Sequence, residues 1–183
     1  NWWSRYYKYT QQEYENLMLK FKEKDYIAKC INRAQIKNNR LFKENNFELM
    51  IGKDRLLWDH IYSNLKHTFR NNNKFTVSYI QNYSWRQIYL YNKFEKELYI
   101  IMNEKTFRGI IKDNKKQHLI AALANINNGN IENIPKRYKL NEEPRRSIII
   151  TFNYDENLKK GKYKAIRITP NLLEIESDEW NGK

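Results

Sequence analysis

The chain has one cysteine, three prolines and five glycines in 183 residues, and no run approaching the roughly 18 apolar residues of a membrane-spanning helix. Each scarcity excludes something. Cys30 alone can form no intrachain disulfide and no multi-cysteine zinc centre. So few glycines and prolines rule out a collagen-like or low-complexity chain, and the glycines are too scattered for a Walker or Rossmann phosphate loop. A G-x-S-x-G nucleophile elbow is missing as well. The chain opens without a charged-then-apolar leader, so the expectation is a cytoplasmic protein with no membrane partner.

What is abundant is charge. Charged residues make up 30% of the chain, mean hydropathy is -0.94 and the formal net charge is +13, with a pI of about 9.6. Residues 1–74 carry 15 basic and 8 acidic side chains, residues 75–140 carry 11 and 5, and residues 141–183 carry 8 of each. The whole excess therefore lies in the first three quarters. A field of this size attracts polyanions, and nucleic acid is the first of these to consider, RNA ahead of DNA. An acidic, antitoxin-like protein is the other partner class. The 25 asparagines, with abundant Lys and Ile, also fit the bias of an AT-rich genome.

Periodicity predicts an α+β fold: N-terminal helices, then a mostly antiparallel sheet of five to six strands, with a helical pair inserted between its halves. Residues 1–9 form an aromatic–basic arm (Trp2, Trp3, Arg5, Tyr6, Tyr7, Lys8, Tyr9), and residues 10–183 a single domain. Thr10 and Glu13 form a capping box before Tyr14, Leu17, Met18 and Phe21. A second helix carries Ile27, Ile31, Ala34 and Leu41, and a third carries Leu57, Trp58, Ile61 and Leu65 up to Phe69. Lys20, Lys24 and Lys37 are expected on a charged helical face. Alternation at Phe75, Val77 and Tyr79, then at Ile88 and Leu90, predicts strands, with a hairpin turn over 92–96. Asn103 should cap a helix carrying Phe107, Ile110 and Ile111, and Leu119, Ile120, Leu123 and Ile126 predict its companion. Residues 129–147 read as a long loop, 148–152 as a central strand, and 164–169 with 172–176 as a final hairpin.

Three chemical constellations stand out. Arg55 and His60 have the R-x4-H spacing of the HEPN ribonucleases, but Leu56 stands where those enzymes place a polar residue, and they are all-helical. Asp155 and Glu156, ahead of Lys159, Lys160, Lys162 and Lys164, resemble the carboxylate–lysine sites of metal-dependent nucleases, although a solvated hairpin turn explains the same letters. His60 and His67 are two helical turns apart, about 10.5 Å, too far to share a metal. No metal or cofactor is expected. The third constellation is a metal-free phosphodiester site, with His118 as the proton-transfer group and Arg86 and Arg108 clamping the phosphate. Arg55, Lys105, Lys115, Lys116, Arg145 and Arg146 would then bind the nucleic-acid backbone.

The order of landmarks adds a resemblance. Arg55-x2-Trp58-Asp59-x-Ile61, Trp85, Ile88-Tyr89-Leu90-Tyr91, Leu98-Tyr99-x2-Met102-x-Glu104-x2-Phe107, His118-Leu119-x2-Ala122-Leu123-x2-Ile126-Asn127 and Trp180 follow one another over residues 50–180. This series resembles an uncharacterised family of small α+β proteins of Firmicutes, associated with toxin–antitoxin or phage-defence loci. The resemblance carries over no catalytic role; together with the +13 charge and the aromatic–basic segments it leads to the expectation of a toxin-like protein acting on nucleic acid, with RNA cleavage as one form. The alternative is a non-catalytic basic module that docks onto an acidic protein or onto DNA, as an antitoxin or repressor would.

Overall fold

The computed structural model describes residues 19–46, 50–82, 85–115, 123, 126–127, 138–169, 171 and 174–182, with the side chains of 21, 82, 85, 86 and 174–177 outside that set. The arm over 1–9, the capping box at Thr10 and the apolar positions Tyr14, Leu17 and Met18 lie outside the described residues.

Helix α1 spans Phe21–Glu44 without interruption, where the sequence pattern places a boundary between Phe21 and Ile27. No proline or glycine interrupts that stretch, so propagation continues at no extra cost. Its start is set by Glu23, whose Oε2 accepts the Lys20 N–H at 3.1 Å. Helix α2, Lys53–Phe69, returns antiparallel to α1. Asn64 Nδ2 donates to the Cys30 carbonyl at 2.9 Å, and Asn38 Nδ2 to the Lys53 carbonyl at 2.9 Å, so side-chain amides link the pair at both ends.

Six strands follow: β1 Phe75–Asn82, β2 Trp85–Asn92, β3 Glu97–Asn103, β4 Arg146–Asp155, β5 Lys160–Ile168 and β6 Glu174–Asn181. They lie in the sheet in chain order, and every neighbouring pair is antiparallel except β3 and β4. That parallel pair requires a crossover, and helix α3, Glu104–Lys112, lies on it. Asn103 caps α3 as expected, its side chain accepting the Lys105 N–H at 2.8 Å. Of the companion helix, Leu123 and Ile126 are described; both are helical and buried.

The two faces of the sheet carry separate cores. Phe75, Val77, Ile88, Leu90, Tyr99, Ile101, Ile148, Ile150 and Phe152 pack against α1 and α2. On the other face Leu98 and Ile100 meet Leu123, Ile126 and Tyr138, while Met102, Ile149 and Ile166 meet Phe107 and Ile110 of α3. Double coverage explains why the central strands read as near-continuous apolar runs rather than alternating ones.

The structure also moves element boundaries. β2 begins at Trp85 and Arg86, ahead of the alternation at Ile88 and Leu90. The last hairpin is longer than predicted at both ends. Residues 138–145 form no helix or strand, as a loop should, yet they are anchored as a strap: Tyr138 is buried, its hydroxyl donates to Gln87 Oε1 at 2.7 Å, and its carbonyl accepts from the Tyr89 hydroxyl at 2.5 Å. Close packing also accounts for a glycine. A Cβ on Gly161 would lie 2.7 Å from Asn32 Oδ1 and as close to the ring of Tyr163, whose buried hydroxyl donates to that same Asn32 oxygen.

Candidate nucleic-acid interface

The inner row of α1 is mostly apolar and meets the sheet and α2, so its outer row is left to solvent. Lys22, Lys29, Arg33, Lys37, Arg40 and Lys43 are all exposed there. At 100° per residue, Lys22, Lys29, Arg33 and Arg40 fall within a sector of about 40° and extend about 27 Å along the axis. Arg40 approaches Glu44 at 3.8 Å, and the Lys22 ammonium lies 5.6 Å from the centre of the Tyr26 ring. Lys29, Arg33, Lys37 and Lys43 meet no carboxylate among the described residues. Ile36, 43% exposed, is the one large apolar side chain exposed along the row among the described residues.

Lys24 departs from expectation. Although placed on a charged face by the sequence reading, it is 3% exposed and pairs with Asp178 of β6. Its ammonium also lies 5.6 Å from the Trp180 ring, and Trp180 Nε1 donates to the Lys24 carbonyl at 3.2 Å. This lysine holds α1 to the last strand and contributes nothing to the external row.

The other sequence candidates are dispersed. Arg55 is exposed on α2. Lys105 is exposed in the first turn of α3, at the end of the sheet where β3 finishes, and Lys115 is exposed just beyond that helix. Arg108 is half-buried on α3, its guanidinium 5.5 Å from the centre of the Phe107 ring. Arg145 is exposed at the opposite end of the sheet, before β4. Arg146 is engaged within the fold: its Nη2 donates to Glu97 Oε1 at 2.5 Å, and the same buried carboxylate accepts from the Tyr99 hydroxyl. Burial and the Glu97 charge push the Tyr99 phenol well above its ordinary range. His118 and Lys116 lie outside the described residues, so the His118–Arg86–Arg108 cluster does too.

Arg55 and His60, five apart, are rotated about 140° around α2. Arg55 faces solvent, whereas His60 is half-buried with its Nε2 unpartnered among the described residues. Desolvation and the nearby Lys37 charge hold the imidazole below its usual pKa. Asp155 is a turn former: its Oδ1 accepts the N–H groups of Asn157 and Leu158 at 2.9 and 3.1 Å. No group of three or more potential metal ligands occurs among the described residues.

A groove of about 340 Å³ lies near the start of α3, lined by Glu104, Thr151, Lys162, Lys164 and Glu179 among others. Lys164 approaches Glu179 at 3.5 Å. Two lysines against two glutamates leave no net field there, so the groove suits a polyanion less well than the α1 row does. That row is the feature that sequence reasoning largely missed, naming only Lys37 from it. Its signal was the seven–four–seven spacing of Lys22, Lys29, Arg33 and Arg40, visible once the helix is taken from Phe21.

One protein-family model matches residues 14–166, most of the chain. The chain belongs to that family, DUF5986, a family of unknown function. The DUF5986 match begins before α1 and ends within β5, so it includes α1, which the resemblance over residues 50–180 leaves out. Neither the curated proteins nor the solved structures contain a match. No helix among the described residues is long and apolar enough to cross a membrane.

Proposed function

We propose that this DUF5986 protein binds nucleic acid, RNA ahead of DNA, by laying the phosphate backbone along the outer row of α1. The supporting observation is the row itself: six exposed cations on one helix, four of them nearly collinear. Protein–protein interfaces depend on a fully buried, largely apolar centre with aromatic anchors, and among the described side chains of the row Ile36 alone does not supply one. Protein–nucleic acid interfaces are polar and strongly positive, as this row is. In a bacterial cell, sequestered RNA would give a toxin-like arrest of growth.

The test is binding of a labelled, unstructured RNA across a salt series. Affinity should fall linearly on a log–log plot, with a slope of about -0.7 per phosphate contact. The triple variant Lys29→Glu, Arg33→Glu, Arg40→Glu should bind at least about tenfold more weakly, with a slope shallower by about 2. A parent protein that ignores RNA and duplex DNA even at low salt would refute the proposal. Induction of the parent beside the triple variant extends the test to growth.

A further inference from the structure

The turn between β2 and β3 displays an aromatic ring among charged side chains. Phe94 is 69% exposed and meets no other ring among the described residues. Tyr79, the other exposed aromatic named among them, packs edge-on against Tyr62 at 5.0 Å. The turn is held in place: Asn92 Oδ1 accepts the N–H groups of Phe94 and Glu95 at 3.0 and 3.1 Å, and Lys96 adopts a positive φ of 52°. A ring carried on an ordered turn leaves little backbone freedom to lose on binding.

Cations surround it. Lys93 precedes Phe94 and Lys96 follows two residues later, both exposed, and the Arg145 N–H donates to the Lys96 carbonyl at 2.7 Å, placing that exposed arginine beside the turn. The acidic groups at the turn are Glu95, which is exposed, Glu142, which lies 3.7 Å from the Lys96 ammonium, and Glu143, which is half-buried two residues before Arg145. The turn is also tied to the start of the α1 row. The Lys93 N–H donates to the Lys74 carbonyl at 2.8 Å, and the Lys74 ammonium pairs with Glu23, in the first turn of α1 beside Lys22, at 2.7 Å.

We infer that Phe94 is a stacking platform for an unpaired base, with Lys93, Lys96 and Arg145 meeting the flanking phosphates, so that the ligand is a single-stranded segment whose backbone continues onto α1. This inference rests on the nucleic-acid reading and narrows it. Stacking is sequence-tolerant and is lost when the base is paired within a duplex.

The experiment compares an unstructured RNA with a duplex of the same sequence, using the parent, Phe94→Ala, Phe94→Trp and the α1 triple variant, each first checked by thermal unfolding. Phe94→Ala should weaken single-strand binding about tenfold, leave the salt slope unchanged because no charge is removed, and leave duplex binding unaltered. Phe94→Trp should bind the single strand at least as well as the parent. Unchanged single-strand affinity in Phe94→Ala, with the triple variant still impaired, overturns the stacking platform and leaves the nucleic-acid reading standing. Equal losses on both ligands overturn it too, since a paired base offers no face to stack. A parent that binds neither ligand overturns both readings.

Discussion

Lys22 and Lys24 stand two residues apart on α1, and the helix gives them opposite uses. Lys22 is exposed in a row of cations, while Lys24 is buried against Asp178 and Trp180. The same contrast separates the outer row of α1 from the foot of the sheet, where Arg146 is paired with the buried carboxylate of Glu97. A formal charge of +13 is therefore not a measure of available field. Part of it is spent inside the fold, and of the exposed remainder six cations share the outer face of α1 while others are dispersed over α2, α3 and the turns.

Removing each lysine in turn should break this symmetry most sharply. Lys24→Met leaves Asp178 buried without its partner, and breaking a buried pair by deleting one member costs about 3–5 kcal/mol. A urea titration should show a large loss of midpoint and little change in RNA affinity at temperatures where the variant stays folded. Lys22→Met should do the reverse, leaving the midpoint in place and weakening RNA binding. Equal urea midpoints for the two variants would refute the division.

Next in size is Gly161→Ala, which tests packing at the internal end of the comparison. Its methyl group would meet Asn32 and Tyr163, both buried, and neither is the free end of a flexible side chain. Overpacking of this kind costs about 1–3 kcal/mol, and calorimetry should show a lower melting temperature with RNA affinity retained below it. A variant as stable as the parent would mean that α1 and β5 can move apart at little cost.

Much of this fold was legible because helical and strand periods are local. Asn103 as a cap, the hairpin turn before β3 and the isoleucine run of β4 all follow from neighbours within a few residues. The parallel pairing of β3 with β4 does not, since it is decided by a crossover of more than forty residues. Nor does the strap over 138–145, whose anchor Tyr138 bonds to Tyr89 and Gln87 from across the sheet. The fate of single lysines was the least legible part. Lys24 lies on the inner row with Ile27, Ile31 and Ala34, but only the arrival of Asp178 from the far end of the chain makes its burial tolerable. Phe94 had a local signal, an aromatic at the centre of a charged turn, and that signal gains weight only when Arg145 and the start of α1 are seen beside it.

The smallest effect belongs to His60, which lies between the two regions, on α2 behind the row. Burial and the charge of Lys37 lower its pKa, while Asp59 opposes them weakly. In the unfolded chain the imidazole titrates near its ordinary 6.5. As pH falls below that value, the unfolded state takes up a proton before the folded state does. The contribution of neutral His60 to stability is therefore fully present above pH 6.5 and is lost as pH falls through the folded-state pKa below it. Urea midpoints measured at about pH 7.5 and about pH 5.5 should fall more for the parent than for His60→Gln, because glutamine has no proton to gain. Identical declines would mean that the imidazole is solvated in the folded state and that the α1–α2 seam beneath the row is more open than its amide hydrogen bonds indicate.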